Sequence, residues 1–367
     1  MMWMILFLLL PLAGLAYVGW HVWTLVPLSA VWRTVIVGVG VLSFCMIFLN
    51  FTRVIDRLPL WLGRVVYDVG NSSIFVLLYL VMIFLVLDIG RLVHLVPKAW
   101  LCQNFYTTVA LTLGMFALFL YGNIHYYNKV RVEMALTTDK PLAKPLTLVM
   151  MSDLHLGYHN TRKELHRWVD MINSEHPDYV LIAGDIIDMS MRPLLEENMA
   201  EEFRRIEAPI YACLGNHEYY SGEPQAQQFY RDAGIHLLRD TFAIVDGLCI
   251  IGRDDRTNPH RKSLGKLVSE LPLPSEGVGV RLLLDHQPYH LEQAERAGID
   301  FQFSGHTHYG QVWPISWIED GMYECAFGEH QRGSTRYYVS SGIGIWGAKF
   351  RIGTRSEYIV MKINQNQ

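Results

Sequence analysis

The stretch "LTLVMMSDLHLG", Leu146 to Gly157, decides the fold. Its first six residues carry no charge and read as a short buried strand, and the run stops on Ser152, Asp153 and His155, where a strand should give way to a loop. The same pattern recurs four times downstream. "YVLIAG" ends in Asp185, "PIYACLG" in Asn216 and His217, "RLLL" in Asp285 and His286, and "FQFSG" in His306 and His308. A helical pattern, "TRKELHRWVDMINSEH", separates the first two runs and indicates an α/β arrangement. In such a fold the carboxyl ends of neighbouring strands converge, and these polar residues converge with them.

Upstream of this stretch the composition changes. The chain has 367 residues and is 51% hydrophobic, too apolar for a plain soluble enzyme of that size. Four apolar stretches, near 3–25, 34–51, 74–96 and 107–127, each approach the ~20 residues a helix needs to cross a bilayer. The first lacks a basic leader and a clean cleavage site and is followed at once by further spans, so it reads as a retained helix. The expected organisation is an all-α membrane region over 1–128, a linker over 129–145 with the prolines of "TTDKPLAKPL", and a chemistry-bearing domain over 146–367.

Four spans place the amino terminus, the central loop and the carboxyl domain on one side. That side holds Arg53, Arg57, Arg64, Lys129, Arg131, Lys140 and Lys144, against Arg33, Arg91 and Lys98 on the other. The positive-inside rule then expects a multi-pass inner-membrane protein with a cytoplasmic catalytic domain. Asp88, Arg91 and His94 recur at i, i+3 and i+6. They are expected to form a salt-bridged pair with an interfacial His sealing a helix end, in preference to a proton or ion pathway.

A net charge of -4 without a basic run argues against nucleic acid as a partner. The five cysteines, Cys45, Cys102, Cys213, Cys249 and Cys325, are scattered and form no CxxC pair. Neither a disulfide framework nor a thiolate zinc site is expected, and a reducing compartment is preferred.

The converging donors are carboxylate and amide oxygens mixed with imidazole nitrogens. That set suits Mn, Fe or Zn in five- or six-coordinate geometry better than a structural zinc. The donors are too many for one ion, and a shared carboxylate can bridge two, so two divalent metal ions are expected. The chain has neither a G-x-S-x-G motif nor a Walker-type GKS or GKT, which weakens serine-hydrolase and NTPase readings.

In order, "DLHLG", "GDIID", "GNHEYY", "DHQP" and "GHTHYGQ" resemble the five blocks of the calcineurin-like metallophosphoesterases, and the likeness extends over about 146 to 363. The closing "VSSGIGIWGAKFRIGTRSEYIVMKI" resembles the ending of that family's membrane-associated bacterial branch. The resemblance implies a four-layer α/β/β/α sandwich. It also implies that Asp153, His155 and His308 hold one metal, that Asn216, His286 and His306 hold the other, and that Asp185 bridges them. His217 would be the general acid, and Asp188 would orient it.

The implied reaction is hydrolysis of a phosphoester or phosphoanhydride, with the bilayer as partner. A lipid-linked substrate such as UDP-2,3-diacylglucosamine is in keeping with the anchoring. Two alternatives stand beside this reading: a general or cyclic-nucleotide phosphodiesterase, and a non-catalytic membrane sensor or scaffold. Arg253 and Arg256, in the polar stretch Gly252 to Ser263, are candidate phosphate contacts, against a solvated surface loop. His159 and Asn160 are candidate substrate contacts, against an ordinary exposed loop.

Overall fold

The computed structural model describes residues 2–272 and 279–366. It divides into two compact units, Met1–Asn123 and Ile124–Gln367.

The first unit is built from α1 (Met2–Leu25), α2 (Ala30–Phe51), α3 (Leu60–Leu92) and most of α4 (Phe105–Tyr127). Three of these, α2, α3 and α4, are long and apolar enough to cross a membrane, and Leu9–Leu25 of α1 is a shorter apolar helix. Val18, Leu25, Phe44, Leu77 and Phe84 form a core shared by α1, α2 and α3. At Gly70 a Cβ would stand 2.8 Å from the Ile47 backbone nitrogen, so α2 and α3 touch where a small residue is required.

Two features differ from the sequence reading. Helix α3 begins at Leu60, well before residue 74. Its polar positions had read as loop, but Asn71 is buried and its amide donates to the Tyr67 carbonyl one turn back, at 2.8 Å. The helix also stops at Leu92, so His94, with a φ of 60°, lies beyond it and does not continue the helical spacing of Asp88 and Arg91. Asp88 instead accepts from the Tyr17 hydroxyl at 2.7 Å and contacts His21 Nε2 at 3.0 Å, tying α3 to α1.

In chain order the second unit contains β1 (Lys129–Thr138), β2 (Leu146–Met151), α5 (Arg162–Ser174), β3 (Tyr179–Ala183), α6 (Arg192–Glu196), α7 (Met199–Phe203), β4 (Ile210–Cys213) and α8 (Asn216–Ala233). There follow β5 (Ile235–Leu237), β6 (Thr241–Val245), β7 (Leu248–Gly252), α9 (Leu264–Ser269), β8 (Val280–Leu284), α10 (Glu292–Arg296) and β9 (Phe301–Ser304). Then come α11 (Ile315–Met322), β10 (Gly328–Arg332), β11 (Thr335–Val339) and β12 (Ser356–Gln365).

The strands form two six-stranded sheets, ordered β1-β12-β2-β3-β4-β5 and β10-β11-β9-β8-β7-β6. Period-two alternation sends Leu148, Met150 and Leu181 of one sheet and Ile250, Leu282, Leu284, Phe301 and Phe303 of the other into one shared core. The opposite faces are covered by helices. Val149, Met151, Val180 and Ile182 pack with Trp168 and Val169 of α5 and Phe229 and Tyr230 of α8. Cys249, Ile251 and Leu283 pack with Leu264 and Leu267 of α9 and Ala294 of α10. The result is the α/β/β/α sandwich. Cys45, Cys102, Cys213, Cys249 and Cys325 are all free thiols.

The stretch read as a linker is largely ordered strand. β1 pairs in parallel with β12 from Lys129 opposite Ser356 to Thr138 opposite Gln365. The alternation Val130, Val132, Met134, Leu136 announces such a strand, with Met134 and Leu136 buried. Helix α5 begins at a capping box in which Thr161 and Glu164 each satisfy the other's backbone N–H. This fixes the point at which the chain leaves the loop after β2.

Candidate metal centre

Every donor predicted from the sequence sits just past a strand end, and most have unusual backbone conformations. Asp153, His155, Asp185, His306 and His308 have φ of 54°, 45°, 52°, 75° and 51°, the left-handed region that L-residues disfavour. Neighbouring backbone holds them there. Asp153 N donates to Gly184 O, His155 N to Asp185 O, and Gly344 N to Asp153 O. Close approach also demands glycine. A Cβ on Gly215 would collide with Asp185 Oδ1, and one on Gly305 with Asp153 Oδ2.

The loops bring the predicted residues together. Ligand atoms of Asp153, His155 and His308 lie within 4.8 Å of one another, as do those of Asp185, His286 and His306, and those of His155, Asp185 and His217. His155 Nε2 faces His308 Nε2 at 3.0 Å and Asp185 Oδ2 at 3.6 Å. His286 Nε2 lies 3.1 Å from Asp185 Oδ2 and 3.2 Å from Asn216 Oδ1, which also meets His306 Nδ1 at 2.9 Å. The other nitrogen of His286 donates to the Ala183 carbonyl at 2.7 Å, leaving the Nε2 lone pair pointed into the cluster.

Asp188 Oδ1 stands 3.4 Å from Nδ1 of His217 and the same distance from Nδ1 of His155. The expected orienting carboxylate therefore faces two imidazoles, one of them in the donor set. Their rings meet edge to face at 4.5 Å.

Charge in this buried space is unevenly held. Burial opposes ionisation of Asp153, yet His308 and a hydrogen bond with His155 keep its carboxyl below the usual range. Asp185 is held low in the same way by His286 and His217, and Asp188 by His155 and His217. Burial works against an imidazolium at His155, but hydrogen bonds with Asp153 and Asp188 raise it to about 10. Burial pushes His308 down, and burial with the His286 charge takes His306 to about 4. Three anionic carboxylates stand beside His306 and His308, which hold protons poorly, and beside His155 and His286, whose imidazoles are raised by those carboxylates; together they form a nest of mixed oxygen and nitrogen donors with a surplus of negative charge. Two divalent cations fit such a nest, and among the described residues no Lys or Arg is paired with Asp153 or Asp185.

Supporting residues were less visible in the sequence. Glu218, fully buried, accepts from Gly215 N at 2.7 Å, Asp185 N at 3.1 Å and Ile187 N at 3.0 Å, bracing the Asp185 loop. Its place three residues after Gly215 is a capping-box spacing, a signal available in "GNHEYY". Arg351, fully buried, donates to the carbonyls of His308 (2.6 Å), Ser341 and Gly344 (3.2 Å). It ties the His308 loop to the chain after β11, and its sequence context carries no signal.

The four candidate substrate contacts separate, and Asn160, like His159, is buried. Arg253 is buried, its guanidinium engaged by Asp285 Oδ2 at 2.9 Å and by the Lys262 carbonyl. Arg256 is exposed and lies over the Tyr289 ring, 4.2 Å from its centroid. His159 is 1% exposed and its Nε2 donates to the Ile345 carbonyl at 2.6 Å, so it is not an exposed loop histidine. The polar stretch is likewise not a solvated loop throughout, since Asp254 and Asp255 are buried with Arg253. Tyr220 flanks His217 at 5.2 Å between ring centroids, and Tyr219 instead donates to Asp254.

Residues 146–310 match the family model described as calcineurin-like phosphoesterase, and this part of the chain is a domain of that family. The protein is a metal-dependent phosphoesterase. It is similar to a transmembrane protein with metallophosphoesterase domain from Danio rerio, 29% identical over 87% of this chain and 76% of the relative. An uncharacterized metallophosphoesterase of Campylobacter jejuni is 28% identical over 69% of each chain. Among solved structures, a 5'-nucleotidase precursor from Thermus thermophilus matches 59% of this chain and 55% of its own at 17% identity, with a TM-score of 0.39. The apolar helices and the transmembrane relative indicate a membrane protein.

Proposed function

We propose that this chain is a membrane-anchored, dinuclear-metal hydrolase of phosphoester or phosphoanhydride bonds. The observation that carries the reading is the convergence of carboxylate and imidazole donors into three overlapping triads linked through His155 and Asp185, with the Asn216 amide against His286 and His306, so that donors from five separate strand ends meet. Asp153, His155 and His308 would hold one ion, Asn216, His286 and His306 the other, with Asp185 between them. When bound, the ions supply a more acidic water and stabilise charge on the phosphoryl oxygens.

The chain's own residues do the rest. Asp188 Oδ1 stands 3.4 Å from Nδ1 of His217 and by its charge turns that nitrogen toward itself, which aims the other nitrogen at a leaving oxygen, where the imidazole can donate. By fixing His155 as well, it couples the orientation of the acid to that of the donor set. Arg256, exposed where Arg253 is not, is the better placed to meet a second phosphate or a headgroup.

A lipid-linked substrate such as UDP-2,3-diacylglucosamine is the finer reading, and the membrane helices support it. The test uses full-length protein in detergent or nanodiscs with Mn and bis(p-nitrophenyl) phosphate. His217→Ala should lower kcat by ~10² to 10⁴, and Asp185→Asn should abolish turnover and lower bound metal. Chelation should silence the parent protein and added Mn restore it. Full activity in both variants would sink the mechanism. A panel of UDP-diacylglucosamine, phospholipids, cyclic nucleotides and phosphomonoesters then ranks substrates.

A further inference from the structure

The loop carrying Asp153 and His155 is held in a disfavoured backbone conformation, so something must hold it. One side chain does so from within. Asn160, fully buried, directs Nδ2 at the carbonyls of Leu154 (2.9 Å) and His155 (3.1 Å), on either side of the His155 residue, and at that of Ile345 (3.2 Å). Three carbonyl oxygens around that atom, with His159 Nε2 also 3.2 Å away, mark it as the donor end of the amide. Oδ1 must then accept, and Tyr126 supplies the proton, its hydroxyl 2.6 Å away.

Tyr126 lies in the last turn of α4, within the second unit. It is 0% exposed, with the Lys129 ammonium 3.6 Å from the centre of its ring. In that closed place the hydroxyl donates to the Asn160 amide and so fixes which way the amide faces. Loss of it would strand a buried acceptor and free the amide to turn.

We propose that Tyr126 and Asn160 are positioning residues for the metal centre: the final turn of an apolar helix sets, through one amide, the backbone on which Asp153 and His155 are presented. Neither residue lies among the five sequence blocks or the donor set. The proposal rests on the metal-centre reading above.

The test is Mn(II) binding to the full-length protein in detergent, followed by the EPR signal of free Mn(II), with no substrate present. Tyr126→Phe, which removes only the hydroxyl, should weaken Mn(II) binding at one of two sites by about tenfold. At saturating Mn(II) the KM for bis(p-nitrophenyl) phosphate should stay at the parent value. Asn160→Asp, which keeps an acceptor and loses the donor, should weaken binding at least as much. Tyr127→Phe, a neighbouring exposed tyrosine, should bind like the parent. Parent-like binding by Tyr126→Phe overturns the proposal, as does weakened binding at both sites alike with a lowered melting temperature. If the parent itself binds no Mn(II), the metal-centre reading fails first.

Discussion

His159 shows how burial decides what a residue does. Burial lowers its imidazole to about 4, against the nearby carboxylate of Asp188, because an imidazolium there would lose its water. A folded-state pKa below the unfolded one means the unfolded chain binds more protons between the two values, near pH 4 to 6.5. Stability contributed by neutral His159 is therefore full above pH 6.5 and lost as pH falls toward 4. Thermal unfolding of His159→Gln should show a shallower loss over that window than the parent. A parent-like slope in the variant would remove His159 as the cause.

The donors were legible residue by residue, since each ends an apolar run and an unpaired carboxylate or imidazole there is costly. Arg351 and Tyr126 were not. A buried polar group that serves backbone carbonyls has no period and no motif, and its partners are brought close only by the fold.

At the scale of elements, apolar period was the reliable guide and polarity the misleading one. The five strands with donors and helix α5 follow the expected runs closely. Helix α3 extends ahead of the apolar run that begins near residue 74, through Arg64, and β1 fills most of the stretch that the prolines of "TTDKPLAKPL" mark as a linker. β1 has its own consequence. It is the edge of its sheet and covers β12 along ten residues, while Arg131 and Glu133 keep the free edge charged. A fragment starting at 146 would bare the backbone of β12. It should aggregate on purification, as size-exclusion chromatography would show, whereas a fragment starting at 124 should elute with less aggregate. Equal behaviour would mean β1 does not protect that edge.

For the whole molecule, the open question is the side of the membrane on which hydrolysis occurs. Among the described residues three helices are long and apolar enough to cross; only if α1 makes a fourth crossing does the predominance of Lys and Arg around the α2–α3 connection and before the catalytic domain lead to our proposal of a cytoplasmic site. A reporter active only in the cytoplasm, fused after Gln367, should give signal; a stable but inactive fusion would put the site outside. The backbone angles at the donors also bear on the molecule as a whole. Five residues in left-handed conformation, each costing about 1 kcal/mol or more, are gathered from the ends of three strands, β2, β3 and β9. The catalytic unit is thus built with its most tense backbone in one ring, tolerated because the two sheets and their helices are stable enough to bear it. Cations that close this ring would turn its weakest region into a clasp between the sheets, so that metal supply would govern how long the protein lasts as well as how fast it works.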